Sequence, residues 1–448
     1  MKRKELPMNR NDAPGKNTER PPRQNTSYTS GRRYRETSAA VTETKKNQLV
    51  NNLVSSHKQK ELAKNAAWNE SVEYVKGSPD WIFGTLVLIL VALGIVMIFS
   101  ASFPVAAEKY GNSFFYAGRQ IKWALIGIVV MLIAMYAVPI NFFKKVAPII
   151  YAVGGAALIA VLIFGSASKG AKRWIELGGQ RIQPSEFAKF TLIILLAWYA
   201  DKFGHLYRDA ETGKEKLFYG VIVPAVPIFI YAGLVMLENH LSGTIIIVMI
   251  GLFVMFLAGA SVKWTAIAYA ALGVPALIGY VIMKPYALER VYTFVNKENA
   301  DILGERWQTY QGTLAIGSGG ILGLGFGQSR QKYSYVAEAQ NDFIFTIWCE
   351  EMGFIGALLV LGLFAALIGR GYYIAMRSTD TFSSLLVFGI VTQVAIQVIL
   401  NIMVVTDIIP NTGISLPFLS YGGSSLLMFM GEMGLVMGVS RRSFQKKQ

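Results

Sequence analysis

From Ile82 onward the chain alternates long apolar runs with short polar joints. Ten runs stand out, at about 81–103, 122–140, 147–165, 185–201, 217–237, 243–260, 264–283, 343–369, 383–406 and 424–440. About 20 apolar residues wound as a helix cross a hydrocarbon core of roughly 30 Å. The pattern therefore predicts an all-α polytopic membrane protein of about ten transmembrane helices. A long extracytoplasmic loop, 284–341, separates helices 7 and 8. The fourth run is the weakest, being short and interrupted by Lys189.

The polar remainder divides the chain. Residues 1–78 read as a disordered, basic, cytoplasmic N-terminal arm, since too few apolar residues are present to offset the entropy of ordering. Within it, 57–75 has weak amphipathic periodicity and is a candidate for a short helix against the bilayer. The membrane domain occupies 79–440, and 441–448 form a cytoplasmic C-terminal tail. An even number of crossings puts both termini on one side. The basic arm and Arg441, Arg442, Lys446 and Lys447 make that side the cytoplasm.

Composition sharpens this picture. Mean hydropathy is +0.40 and 16% of residues are charged, against about a quarter in soluble chains. Of the 43 Lys and Arg, 16 lie in the first 80 residues, so the remainder is more apolar still. A soluble enzyme, a disulfide scaffold and a wholly disordered chain are excluded. The single cysteine, Cys349, sits inside an apolar run and reads as a small core residue. A net charge of +15 suits anionic lipids or substrates. No folded basic domain is visible to bind nucleic acid.

Charge placement then departs from the positive-inside rule. The short cytoplasmic loops carry Lys144, Lys145, Lys202, Arg208, Lys214, Lys216, Lys263, Arg370 and Arg377, as they should. The outer loops nevertheless carry Lys169, Lys172, Arg173 and Arg181, then Arg290, Arg306, Arg330 and Lys332. An anionic ligand handled on the outer face supplies a reason. The alternative is charge pairing with Glu176, Glu186, Glu289, Glu305 and Glu338.

Four polar clusters are candidates for chemistry. In the first, Lys172, Arg173 and Trp174 set two cations and an indole at a bilayer surface, suited to a phosphate and a sugar or lipid boundary. Pro184 opens the next helix, on which Glu186 and Lys189, three apart, form either a neutralising pair or a substrate contact. The second, Gly317 to Gly327, resembles a phosphate loop, but it is not succeeded by Gly-Lys-Ser/Thr and lacks a strand–turn–helix context. It reads as a tight or flexible turn, or as backbone approaching a ligand. The third runs from Glu338 through Asp342 to Glu350 and Glu351. Asp342 sits where the basic outer loop meets an apolar helix, as a helix N-cap or as a general base whose ionised form the helix N-terminus favours. Glu350 and Glu351 lie at membrane depth and need partners or a wet cavity. The fourth runs from Thr406 to Ser425, where prolines and glycines break the chain and small residues allow close packing of the last helix.

Taken in order, GAKRWI at 170–175, RIQPSEFAK at 181–189, NDFIF at 341–345, EEMGFIG at 350–356 and PNTGISLPFLSYGGSS at 410–425 resemble the SEDS family (shape, elongation, division and sporulation), which includes FtsW, RodA and SpoVE. The resemblance spans about 80–440. GAKRWI and the basic arm look closer to FtsW or SpoVE than to RodA.

The resemblance implies a bacterial peptidoglycan glycosyltransferase in the cytoplasmic membrane, polymerising lipid II for division or sporulation. The implied partners are a class B penicillin-binding protein and other divisome or elongasome membrane proteins, with no nucleic acid. Asp342 falls on the family's proposed catalytic aspartate. Lys172, Arg173, Arg330 and Lys332 become candidates for the leaving diphosphate, with Trp174, Glu338, Glu186 and Lys189 as further substrate contacts. A divalent cation, Mg or Mn, is compatible with this chemistry, and no nucleotide or redox cofactor is called for. Where many members have Gln-Pro-Asp-Leu-Gly-Thr, this chain reads Glu238-Asn-His-Leu-Ser-Gly-Thr244, so no catalytic role is carried onto that stretch. Two other classes remain open, a lipid II flippase and a non-catalytic scaffold for a penicillin-binding protein.

Overall fold

A computed structural model describes residues 72–168, 171–177, 180–296, 304 and 306–446. The expected arm lies outside the described residues up to 71, as do Lys169 and Glu305. At the end of the expected amphipathic helix, Val72–Lys76 is extended instead.

The fold is an α-helical membrane bundle. Its helices are α1 (Trp81–Tyr110), α2 (Phe115–Tyr136), α3 (Ile140–Phe164), α4 (Pro184–Phe203), α5 (Gly213–Leu237), α6 (Leu241–Leu257), α7 (262–283), α8 (Pro285–Val295), α9 (Trp307–Ser318), α10 (Ile344–Met376), α11 (Thr381–Val405) and α12 (Gly423–Ser440). Each apolar run coincides with one of them, and α8 and α9 fall inside the long loop 284–341. Among the described residues, seven helices are long and apolar enough to cross a membrane: α1, α2, α3, α5, α10, α11 and α12.

Local chemistry sets the helix ends. Asp80 caps α1 by accepting from Phe83 N–H at 3.0 Å, and Gly111, with φ 63°, ends it. Asp380 caps α11 through Ser383 N–H at 2.9 Å. Several helices overrun their apolar runs: α1 continues to Tyr110, and α2 and α3 each begin seven residues early. A helix keeps its own backbone bonds when it leaves hydrocarbon for water, so apolarity marks the buried length rather than the helix. Prolines 224, 227 and 275 remove amide donors, and π-turns at Phe218–Ile222 and Tyr269–Gly273 lie beside them.

At the centre stand α4 and α11. α11 packs against α4, α6 and α10, and α4 also against α3. Most of α4 is buried, which explains how it carries Glu186 and Lys189. α12 lies along α2, where Gly434 meets the Met131 carbonyl and Gly127 meets Met430. A methyl at Gly434 would fall 2.3 Å from that carbonyl, so the small residue is required.

Two ends of the bundle differ in character. At the end where the chain enters, Asp80 bridges Arg370 at 2.8 Å and Lys144 bridges Asp201 at 2.6 Å. At the opposite end lie the antiparallel strands β1 (Ser166–Ser168), β2 (Ala171–Leu177) and β3 (Gln180–Ile182), with Ser166 opposite Trp174 and Glu176 opposite Arg181. The α5–α6 turn, α8, α9 and the chain breaks before α10 and α12 gather there too.

Candidate functional site

Asp342 lies in the turn that leads into α10. Phe343, not Asp342, is the residue at the N-cap position. Asp342 precedes the cap and stands half-buried next to the positive end of the helix dipole. Its placement comes from two sides. Asn401 of α11, fully buried, donates through Nδ2 to the carbonyls of Asp342 (2.8 Å) and Ile414 (2.6 Å). Gly413, at φ 69°, packs against the carboxylate itself: a Cβ there would lie 3.0 Å from Asp342 Oδ2. This is the close approach for which the Pro-Asn-Thr-Gly segment needs glycine.

That segment is tied down by α6 and α8. Ser242 Oγ of α6 donates to Thr412 O at 2.8 Å, and Arg290 of α8 donates to Asn411 O. Arg306 approaches Asp407 at 3.7 Å. Between them is a cavity of about 300 Å³ lined by Arg290, Thr293, Arg306, Gln308, Asp407 and Asn411, among others. Tyr421 N–H donates to Gln340 O at 2.9 Å, tying the break before α12 to the same turn.

The β-hairpin supplies Arg173, whose Nη2 donates to Asn239 O in the α5–α6 turn at 2.6 Å. Lys172 is exposed and Trp174 half-buried. Arg181 and Glu176 form an exposed pair at 3.0 Å, the charge pairing that is the alternative to substrate contact. In the turn, Glu238 is buried with neither carboxylate oxygen hydrogen-bonded. Burial raises its pKa to about 8, against the lowering effect of nearby Arg173. Burial, aided by Arg173 and Lys189, pushes His240 well below the usual histidine range, so its imidazole is neutral.

Glu186 and Lys189 do face each other, at 2.8 Å, in the interior. Ser425 Oγ donates to the other Glu186 oxygen at 3.3 Å, and Lys189 stands 6.0 Å from the Phe429 ring. They join α4 to α12 as a neutralised pair.

Arg330 is exposed, and Glu338 is exposed with its carboxylate accepting from Asn341 Nδ2 at 3.0 Å. Lys332 differs from expectation. Its side chain is 0% exposed, and its ammonium meets Glu351 at 2.9 Å and Gly327 O at 2.6 Å. A long side chain directed inward onto a buried carboxylate presents no charge to a substrate outside. Glu350 and Glu351 find their partners here, as membrane depth requires. The expected contacts thus separate into Asp342, Lys172, Arg173, Trp174, Arg330 and Glu338 at or near the surface, and Glu186, Lys189 and Lys332 inside.

Asn401, Ser242 and the tight contact at Gly413 are additions that the structure makes to the site. Nothing in sequence distinguishes Asn401 from other polar residues of the α11 run. Among the described residues no three His, Cys, Asp or Glu side chains converge as a metal-ligand set.

A model of the FtsW/RodA/SpoVE family, described as "Cell cycle protein", matches residues 80–445. Stage V sporulation protein E of Bacillus subtilis is 39% identical over 372 residues, covering 82% of this chain and 98% of its own. A probable peptidoglycan glycosyltransferase FtsW of Coxiella burnetii is 35% identical over 374 residues, covering 82% and 98%. Among solved structures, a chain from a study of polymerization and crosslinking by a peptidoglycan synthase complex aligns with TM-score 0.64 and 26% identity, over 81% of this chain and 98% of that one. Thermus thermophilus rod shape determining protein RodA aligns with TM-score 0.59 and 25% identity, over 81% and 97%.

Proposed function

Because the chain belongs to the FtsW/RodA/SpoVE family, we propose that this multi-pass membrane protein is a peptidoglycan glycosyltransferase that polymerises lipid II. The work is done at the outer face of the bacterial cytoplasmic membrane, in division or sporulation wall synthesis. The observation that carries the reading is the Asp342 carboxylate. Asp342 stands at the mouth of a membrane helix, its main-chain carbonyl held by Asn401 and its carboxylate against Gly413 of the 410–413 turn, whose Asn411 lines the cavity with Arg290 and Arg306.

The chemistry needs a base where a lipid-anchored headgroup meets water. The sugar 4-hydroxyl of one lipid II attacks the anomeric carbon of the growing chain. As the new C–O bond forms, Asp342 takes the hydroxyl proton, and the bond to undecaprenyl pyrophosphate breaks with its electron pair leaving on the diphosphate. Arg173, Lys172 and Arg330 would neutralise that group, with Trp174 at the sugar or lipid boundary. Among the described residues no set of three carboxylate or imidazole ligands converges, so a Mg or Mn ion would be held by Asp342 together with the substrate phosphates and would help neutralise the leaving diphosphate.

The ten helices that coincide with apolar runs are taken as ten crossings, with both termini cytoplasmic and loop 284–341 outside. A class B penicillin-binding protein is the partner, with other divisome or elongasome membrane proteins around it. The test is purified full chain mixed with lipid II, with and without its cognate penicillin-binding protein. Glycan strands are the expected product. Lipid II translocation in vesicles without polymer would replace this reading with the flippase, and neither activity would leave the scaffold.

A further inference from the structure

The glycine-rich segment and the acidic pair Glu350–Glu351 have no task in the chemistry at Asp342, yet the structure joins them. α10 breaks at Gly353, where φ 67° and ψ −167° leave the helical region. Such a break strands backbone groups that hydrocarbon cannot satisfy. The segment after α9 satisfies them. Leu324 and Gly325 N–H donate to Glu350 O and Glu351 O at 2.9 and 3.0 Å, while Phe354 and Ile355 N–H donate to Gly320 O and Ile321 O at 2.9 and 3.2 Å. Glycine is needed on both sides: a Cβ on Gly353 would lie 2.3 Å from Gly323 N, and one on Gly323 2.2 Å from Glu351 O. The segment is thus spliced into the helix break, above and below it.

The two carboxylates then hold residues 329–332. Glu350 accepts from Ser329 Oγ, from Arg330 N–H at 3.0 Å and from Gln331 N–H at 3.4 Å. Glu351 accepts from Ser329 N–H at 3.3 Å, from Ser100 Oγ of α1 at 2.7 Å and from the Lys332 ammonium at 2.9 Å. Both carboxylates are almost wholly buried. Ser329–Lys332 is therefore clasped to α10, and ten residues after Lys332 the chain reaches Asp342 at the start of the same helix. The intervening segment is fixed to α10 at both ends.

We propose that Glu350 and Glu351 are positioning residues for Asp342, clasping Ser329–Lys332 to the broken helix so that the base keeps its place against the 410–413 turn. The proposal rests on the glycosyltransferase reading. It assigns Lys332 to the clasp rather than to the diphosphate. A displacement of about 1 Å at a reacting group can cost about 10²-fold in rate.

The experiment measures lipid II polymerisation and a distance in the same full-length proteins. Spin labels go on cysteines replacing Tyr335 and Ile408, both exposed, in a Cys349→Ala background. Glu350→Gln keeps the shape of the side chain but puts an amide group or a weaker acceptor against Arg330 N–H. It is expected to lower kcat about 10- to 100-fold with KM changed less than about threefold, and to broaden the label distance distribution. Lys332→Met with Glu351→Leu removes the ion pair without leaving a lone buried charge, an exchange often neutral for stability. It is expected to fold, to lose turnover and to broaden the distances in the same way. An unchanged, narrow distribution or wild-type kcat in folded variants would overturn the proposal. If the unmutated chain made no glycan, the functional reading would fail, and the label distances alone would uphold the clasp if broadened and overturn it if unchanged.

Discussion

Replacing Asn401 with leucine isolates the placement of Asp342 from its chemistry. The Asn401 amide nitrogen donates to Asp342 O and Ile414 O. Leucine fills similar volume and leaves two carbonyls without that donor. An unsatisfied buried group costs about 1–3 kcal/mol, so the two together cost roughly 2–6 kcal/mol. Asn401 Oδ1 is itself buried without a hydrogen bond, and its removal returns about 1–3 kcal/mol of that. Taken at their midpoints these leave a net destabilisation of about 2 kcal/mol, small enough for the protein to survive in detergent. Turnover should fall far more, by about 10²-fold, because Asp342, the proposed base, loses its main-chain anchor. Lipid II polymerisation and thermal unfolding are measured on the same preparations. Gln397→Leu, one turn away on α11 and also buried, serves as the control for inserting a leucine into this helix. Wild-type turnover in Asn401→Leu, or an equal loss in Gln397→Leu, would refute the reasoning.

Three further expectations come from the same geometry. Arg173→Gln should lower lipid II use about 10- to 100-fold, the worth of a charge-assisted hydrogen bond of roughly 1.5–3 kcal/mol; full activity would reduce Arg173 to a support for the Asn239 carbonyl. Cysteines at 172 and 330, in Cys349→Ala, should react with an impermeant thiol reagent added outside cells, while one at 332 should stay protected by burial; labelling only from the cytoplasm would invert the topology. Glu238 holds its proton more tightly when folded, with a pKa raised to about 8, so its stabilising contribution is full below the unfolded carboxylate range and is lost as pH rises through about 8. Unfolding temperatures of the unmutated chain should decline over that window and those of Glu238→Gln should decline less; parallel profiles would contradict the assignment.

The bundle is legible in the sequence because hydrocarbon thickness imposes a length that few other structures share. Each apolar run is a helix, including the fourth, where Lys189 meets Glu186 one turn away as their spacing implies. The position of Asp342 at the mouth of α10 is legible for a similar reason, as an acid set between a basic loop and an apolar run. Lys332 is not, because its partner Glu351 lies 19 residues on and meets it only through a chain reversal at membrane depth. The glycines at 323 and 353 carry the signal of that reversal, but which two backbones approach each other is a tertiary fact. Asn401 resembles any polar residue in a buried helix until the turn at 410–414 folds back onto it.

The central claim, that Asp342 is the base of a lipid II polymerase, is tested most directly by polymerisation with purified Asp342→Asn. Asparagine keeps the shape against Gly413 and the main-chain bond from Asn401 while removing the proton acceptor. Loss of a positioned base typically costs about 10²–10⁴-fold, so glycan synthesis should fall by at least about 10²-fold with the unfolding temperature retained. Glycan strands formed at the wild-type rate by the folded variant would contradict it.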